Sequence, residues 1–193
     1  MYSYKTKVRS NIKNAVEPVR NKQNIFEIEN YLGKNNYRNK VIWIFGINTG
    51  LRVSDILGLN VGDVRNKSYI CLKEKKTGKF KQFLLNRKLK GIIEDFIENR
   101  PDEEPLFESQ KQHRLDRSQA YRMLNQACRA VGVKETRIGT HTMRKTFGYH
   151  HYKQFKDVAI LQEIFNHSSP KITLRYIGIN QDEINDSYSQ FEL

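Results

Sequence analysis

The chain has 193 residues, 38% of them hydrophobic and 28% charged, a balance that suits one polar-surfaced globular domain. Its longest apolar run, Val41-Ile42-Trp43-Ile44-Phe45-Gly46-Ile47, is far short of the ~20 residues of a membrane-spanning helix; Met1-Tyr2-Ser3-Tyr4-Lys5 has no apolar stretch behind it to act as a signal peptide; and Cys71 and Cys128 are too few for a disulfide scaffold or a thiolate zinc site. The 34 Lys and Arg against 21 Asp and Glu leave a formal net charge of +13, which points to a polyanionic partner and, with both cysteines expected to be reduced and buried, to a cytoplasmic protein.

Residues 1–24 carry Lys5, Lys7, Arg9, Lys13, Arg20 and Lys22 against Glu17 alone and show no apolar periodicity, so they read as a basic arm or linker. Ile25, Phe26, Ile28, Tyr31 and Leu32 then recur at helical spacing. A second helix, Asn39 to about Asn48, is rich in apolar residues and is expected at the centre of the core. Thr49-Gly50 breaks it, and Arg52 opens a short helix that closes near Gly58. Tyr69–Glu74 and Phe80–Leu85 read as two strands around the turn Lys76-Thr77-Gly78-Lys79, a β-hairpin. The hairpin lies in a block, 65–90, in which ten bases meet Glu74 alone. Helices are expected over about 87–99 and 117–131, with an acidic loop punctuated by Pro101 and Pro105 between them. Bases return over 111–145. Thr140 is placed to cap a helix from His141 to about Gln154. Another helix spans about Val158–Phe165, and Ser169-Pro170 starts one more. The tail, about Gln181–Gln190, reads as a weak helix that would align Ile184, Tyr188 and Phe191 in one apolar stripe. The pattern predicts an α+β fold, mostly helical, with one small antiparallel sheet. Basic blocks separated by acidic ones suit a groove that tracks phosphates.

Candidate chemistry falls on a few side chains. Arg52 follows the Thr-Gly break at a helix start, Lys76 sits at the hairpin turn, and His141 and Arg144 share one face of a helix. His167 lies in a polar loop, with Tyr176 nine residues on. Two arginines, a lysine and two histidines can clamp a phosphate through charge-assisted hydrogen bonds, and a tyrosine hydroxyl can act as nucleophile towards its phosphorus. Each residue also has a plainer reading. Arg52 can pair with Asp55, Lys76 can be solvated, His141 can cap its helix, His167 can be a loop residue, and Tyr176 can belong to core or surface. His141, His150, His151 and His167 are numerous enough for a metal site, but they lack the His-x-x-x-His or Cys-x-x-Cys spacing of one, and no metal or other cofactor is expected.

In order along the chain, five segments resemble the motifs of the tyrosine recombinases, the phage-integrase family. They are Thr49-Gly50-Leu51-Arg52-Val53-Ser54-Asp55-Ile56-Leu57-Gly58-Leu59, the hairpin segment Glu74–Lys79, Pro105-Leu106-Phe107, Thr140-His141-Thr142-Met143-Arg144, and Asn166-His167-Ser168-Ser169 followed by Thr173-Leu174-Arg175-Tyr176. The resemblance covers about residues 25–180, which it implies are a catalytic domain of mostly helical fold, and it leaves 181–193 as a tail that can dock on a neighbouring protomer. It implies that Tyr176 attacks the scissile phosphate to form a 3′-phosphotyrosine. Arg52 and Arg144 would hold the non-bridging oxygens and Lys76 would protonate the leaving 5′-oxygen. His141 would assist proton transfer at the nucleophile, His167 would hydrogen-bond the phosphate, and Asp55 would support the assembly. Lys75 and Lys79 compete with Lys76 for the lysine role. Lys145 stands where many members carry a second histidine, and Asp55 where glutamate is commoner.

The implied function is site-specific recombination of double-stranded DNA by metal-independent transesterification, by a protein that is monomeric when free and tetrameric in the DNA synapse, encoded by a bacterium or a phage. Most members carry a further helical domain ahead of the catalytic one. Here a basic stretch of about 24 residues precedes it, so DNA binding is expected to be weak, phosphate-directed and salt-dependent. Type IB topoisomerase-like relaxation, and a non-catalytic DNA-binding protein of the same fold, are the competing functions.

Overall fold

Asn21 accepts a hydrogen bond from the Gln23 amide and so caps α1 (Lys22–Asn35), which buries Ile28 and Leu32. The computed structural model describes residues 16–133, 137–179 and 187–192. After Asn36 the chain enters α2 (Tyr37–Thr49), in which every residue from Val41 to Gly46 is buried. A helix apolar on all sides belongs inside a core, and α2 packs against α1, α4 and α6. Gly50 ends it at φ 62°, a conformation that costs glycine little. The short α3 (Val53–Ile56) follows directly.

The hairpin pairs β1 (Tyr69–Lys73) with β2 (Phe80–Leu84) antiparallel, in a register that sets Tyr69 opposite Leu84 and Lys73 opposite Phe80. Two lysines dock it on the helical body. Lys79 Nζ donates to Asn166 Oδ1 at 2.9 Å, and Lys81 Nζ to the Ile164 carbonyl at 2.7 Å. α4 (Arg87–Phe96) stops three residues short of the expected end, and α5 (Arg117–Ala130) begins with a capping box between Asp116 and Gln119. α6 (Thr142–Phe155), α7 (Val158–Phe165) and α8 (Pro170–Ile177) follow. Ser169 caps α8 and Pro170 stands in its first turn, as the sequence predicts. None of the described helices is long and apolar enough to cross a membrane.

Three expectations need correction. Thr140 does not cap α6: its hydroxyl accepts from Arg117, and His141 occupies the cap position without a side-chain cap bond. Cys128 is buried, and burial pushes its thiol up to about 12, whereas Cys71 is exposed. Cys71 lies on the outward face of β1, which the two-stranded sheet leaves to solvent. Residues 16–20 lie along α6. Val19 is buried, its amide donates to Thr146 Oγ1, and its carbonyl meets His150 Nε2 at 3.0 Å. Most of the stretch expected to form a tail helix, including Ile184, lies outside the described residues. Tyr188 and Phe191 line a groove with Tyr152, Leu174 and Ile179 of the same chain.

The core has two parts. The larger is built around α2, and a smaller one joins Leu161, Phe165, Ile177 and Ile179 under Phe147 and Tyr176. Gly148 of α6 allows the smaller one to close. A Cβ there would stand 2.6 Å from Phe165 and 2.7 Å from Ile177. Alanine gains up to ~1 kcal/mol in helix propensity, but overpacking costs about 1–3 kcal/mol. Gly148→Ala is therefore expected to lower the urea unfolding midpoint; a raised midpoint would contradict this packing.

Candidate active site

Arg144 projects from the first turn of α6 and is 2% exposed. Its Nη1 donates to the Gly50 carbonyl at 2.6 Å and its Nη2 to the Phe165 carbonyl at 2.9 Å, with the guanidinium over the Phe165 ring at 4.3 Å. The two acceptors are at the C-terminal ends of α2 and α7, where unpaired carbonyls and the negative helix end favour a cation. The same break at Gly50 that ends α2 thus orients Arg144 and, two residues on, releases Arg52 in an extended conformation. Arg52 Nη1 lies 2.7 Å from Glu74 Oε1 and 3.9 Å from Asp55 Oδ2. The partner expected from sequence, Asp55, is the more distant one. Asp55 is buried and accepts the Lys75 amide at 3.0 Å, so it ties α3 to the hairpin.

Tyr176 closes the site from α8. Its hydroxyl lies 3.1 Å from His141 Nδ1, and its ring packs against His167 and Phe165, at centroid distances of 5.0 and 5.4 Å. The Lys145 ammonium sits over that ring at 4.9 Å. Burial pushes the Tyr176 phenol up, while Arg144 and Arg52 oppose the rise. His167 Nδ1 meets Thr173 Oγ1 at 3.1 Å, which fixes the ring above α8.

Arg52, His141, Arg144, His167 and Tyr176, from distant points in the sequence, therefore converge. Of the three competing lysines, Lys75 runs against Gly58 and Lys79 bonds to Asn166. Lys76 is exposed, and its charge is one of those felt by His141. Glu74, Lys81 and Lys145 were given no role from sequence. Glu74 did carry a signal, as the lone acid among ten bases. Lys145 was marked only as a departure from the histidine common at its position, and Lys81, in a hairpin with several other lysines, carried no signal.

Burial first, then Arg144 and Arg52, pull His167 down to about 4. Burial, then Arg117, Arg144, Lys145 and Lys76, also lower His141. Burial and Arg144 bring Lys81 down to about 8. A neutral His141 can accept the phenol proton at Nδ1, and the two guanidiniums leave donors free for an anion. Because the folded value of His167 is below the ordinary 6.5, its contribution to stability is present above pH 6.5 and lost as pH falls towards 4. In the free protein the His167 imidazole proton shift is expected to show no titration above pH 5, with melting temperature falling between pH 6.5 and 4. Titration of His167 near 6.5 would contradict this environment.

The Phage integrase family profile matches residues 19–183. The probable integrase/recombinase YoeC of Bacillus subtilis is 46% identical over 177 residues, covering 91% of this chain and 97% of that protein. The tyrosine recombinase XerH of Campylobacter jejuni is 30% identical over 165 residues, covering 81% of this chain but 46% of its own length; against that relative, this chain spans about half. The crystal structure of XerA recombinase superposes with a TM-score of 0.72 at 21% identity, over 92% of this chain and 64% of that one, and shares the fold. With the motif residues gathered in one place and the profile matched over most of its length, this chain belongs to the phage integrase family of tyrosine recombinases.

Proposed function

We propose that this chain is a DNA strand transferase for site-specific recombination, in which Tyr176 is the nucleophile. The observation that carries the reading is the Tyr176 hydroxyl 3.1 Å from His141 Nδ1, beside the two arginines whose charges it feels. Tyr176 Oη attacks phosphorus as its proton passes to His141. The bond to the 5′-oxygen breaks, Lys76 protonates that oxygen, and a 3′-phosphotyrosine remains. Arg52 and Arg144, with His167, hold the non-bridging oxygens as their charge grows. The arginines do the electrostatic work that metal ions do in other phosphoryl transfers, and the covalent link conserves the phosphodiester, so the reaction needs neither metal nor nucleotide. Asp55 supports the assembly through the hairpin.

In this reading the catalytic body holds residues 25–180 together with the stretch from 16 to 24, which packs on it through Val19 and the start of α1. The basic residues ahead of that body are its lead-in and 181–193 the docking tail of a protein that is monomeric when free and tetrameric on paired DNA sites. Its setting is the cytoplasm of a bacterium or of a phage-infected cell.

The test uses a library of duplexes with randomised sequence around a nick, placed so that the released fragment diffuses away. A covalent protein–DNA adduct is expected, at equal yield in excess EDTA. Retention of DNA without an adduct would identify a non-catalytic binder, and loss of cleavage in EDTA restored by Mg²⁺ would identify a metal nuclease. Relaxation of supercoiled plasmid by isolated monomers, with no assembly on paired sites, would identify the topoisomerase-like activity.

A further inference from the structure

We propose that Glu74 is a positioning residue that couples the Arg52 clamp to the turn carrying Lys76. The inference rests on the strand-transfer reading and adds to it a device that keeps the leaving-group acid in register with the bound phosphate. Glu74 directly follows β1 and is 2% exposed. Its two carboxylate oxygens face different parts of the site. Oε1 lies 2.7 Å from Arg52 Nη1, and Oε2 accepts from Thr77 Oγ1 at 2.7 Å. The backbone of the same residue closes the turn: its amide donates to the Lys79 carbonyl at 2.9 Å, and its carbonyl accepts from Gly78 at 2.8 Å. Lys76 lies inside that closed loop. The Glu74 side chain therefore ties the hydroxyl next to Lys76 to the arginine expected to hold the phosphate.

The charge setting agrees with an ionised strut. Burial pushes the Glu74 carboxyl up, but the Thr77 hydroxyl, Arg52 and Lys81 together bring it below the usual value. One Nη of Arg52 is taken by Glu74; a guanidinium has five donors, so others remain for phosphate oxygens. A lysine on an exposed turn is otherwise free to sample many positions, and freezing one of them ahead of the reaction removes that entropy from the barrier.

The test measures the adduct-forming rate on two versions of the same duplex. One has the natural 5′-oxygen at the scissile phosphate; the other has a bridging 5′-sulfur, which departs without a proton. Thr77→Val removes the tether at an exposed position and leaves Glu74 and Arg52 in place. It is expected to slow the oxygen duplex by about 10- to 100-fold, the scale of a small misplacement of a reacting group, and to be restored by sulfur, as Lys76→Ala should be. Glu74→Ala loses both contacts, so sulfur should restore it only in part. Glu74→Gln keeps an acceptor for Thr77, so its smaller defect should persist on sulfur. Thr77→Val reacting at the wild-type rate, or equally slowed on both duplexes, would overturn the inference. If wild type itself forms no adduct, the strand-transfer reading fails instead.

Discussion

Tyr176→Phe is expected to abolish the covalent adduct while leaving fold and DNA binding in place. The loss should be about 10⁶-fold or complete, the scale seen when a covalent nucleophile is removed, because the Tyr176 hydroxyl is the group that His141 Nδ1 meets at 3.1 Å. The substitution deletes one oxygen. The ring keeps its packing on Phe165 and His167, and the lost hydrogen bond to a half-buried histidine costs about 1 kcal/mol. Arg52, Arg144 and the basic surface that hold phosphate are untouched, so gel-shift affinity should change little. An adduct at normal yield in this variant would remove Tyr176 from the role.

Arg144→Lys should come next in size, with cleavage down about 10²–10³-fold, the worth of a lost donor to a developing oxyanion. Arg144 spends two donors on the carbonyls of Gly50 and Phe165 and presents the rest to the site. An ammonium is a point charge on a flexible stem and cannot reproduce that fork. Arg144→Ala adds a structural defect, leaving two buried carbonyls unpaired and a void over the Phe165 ring, so its melting temperature should also fall. A bridging 5′-sulfur should rescue neither variant, since the missing interaction is with the non-bridging oxygens. Near-wild-type cleavage by Arg144→Lys, or its rescue by sulfur, would reassign this arginine.

Much of this protein was legible in its sequence. The apolar run of α2, the Thr49-Gly50 break, the hairpin turn and the Ser169-Pro170 start each rest on local backbone preference or periodicity, and each recurs in the structure. The ordered boxes around Arg52, Arg144 and Tyr176 likewise named the residues that converge. The expected cap at Thr140 failed because Arg117, 23 residues away in the chain, takes its hydroxyl. Cys71 was expected to be buried, but its strand belongs to a sheet of two strands with one face in water.

The sequence by itself determined the elements, the family and the list of groups able to handle a phosphate, because those follow from residue type and from spacing along the chain. Tertiary structure alone decided the pairings. It gave Arg52 to Glu74 in preference to Asp55, seated Arg144 on two helix ends, sent Lys75 and Lys79 away from the site, and set Lys81 half-buried and Lys145 buried beside it. Charge-assisted contacts act over about 3–4 Å, a distance set by how α2, α6, α7, α8 and the hairpin pack, and chain separation carries no information about it.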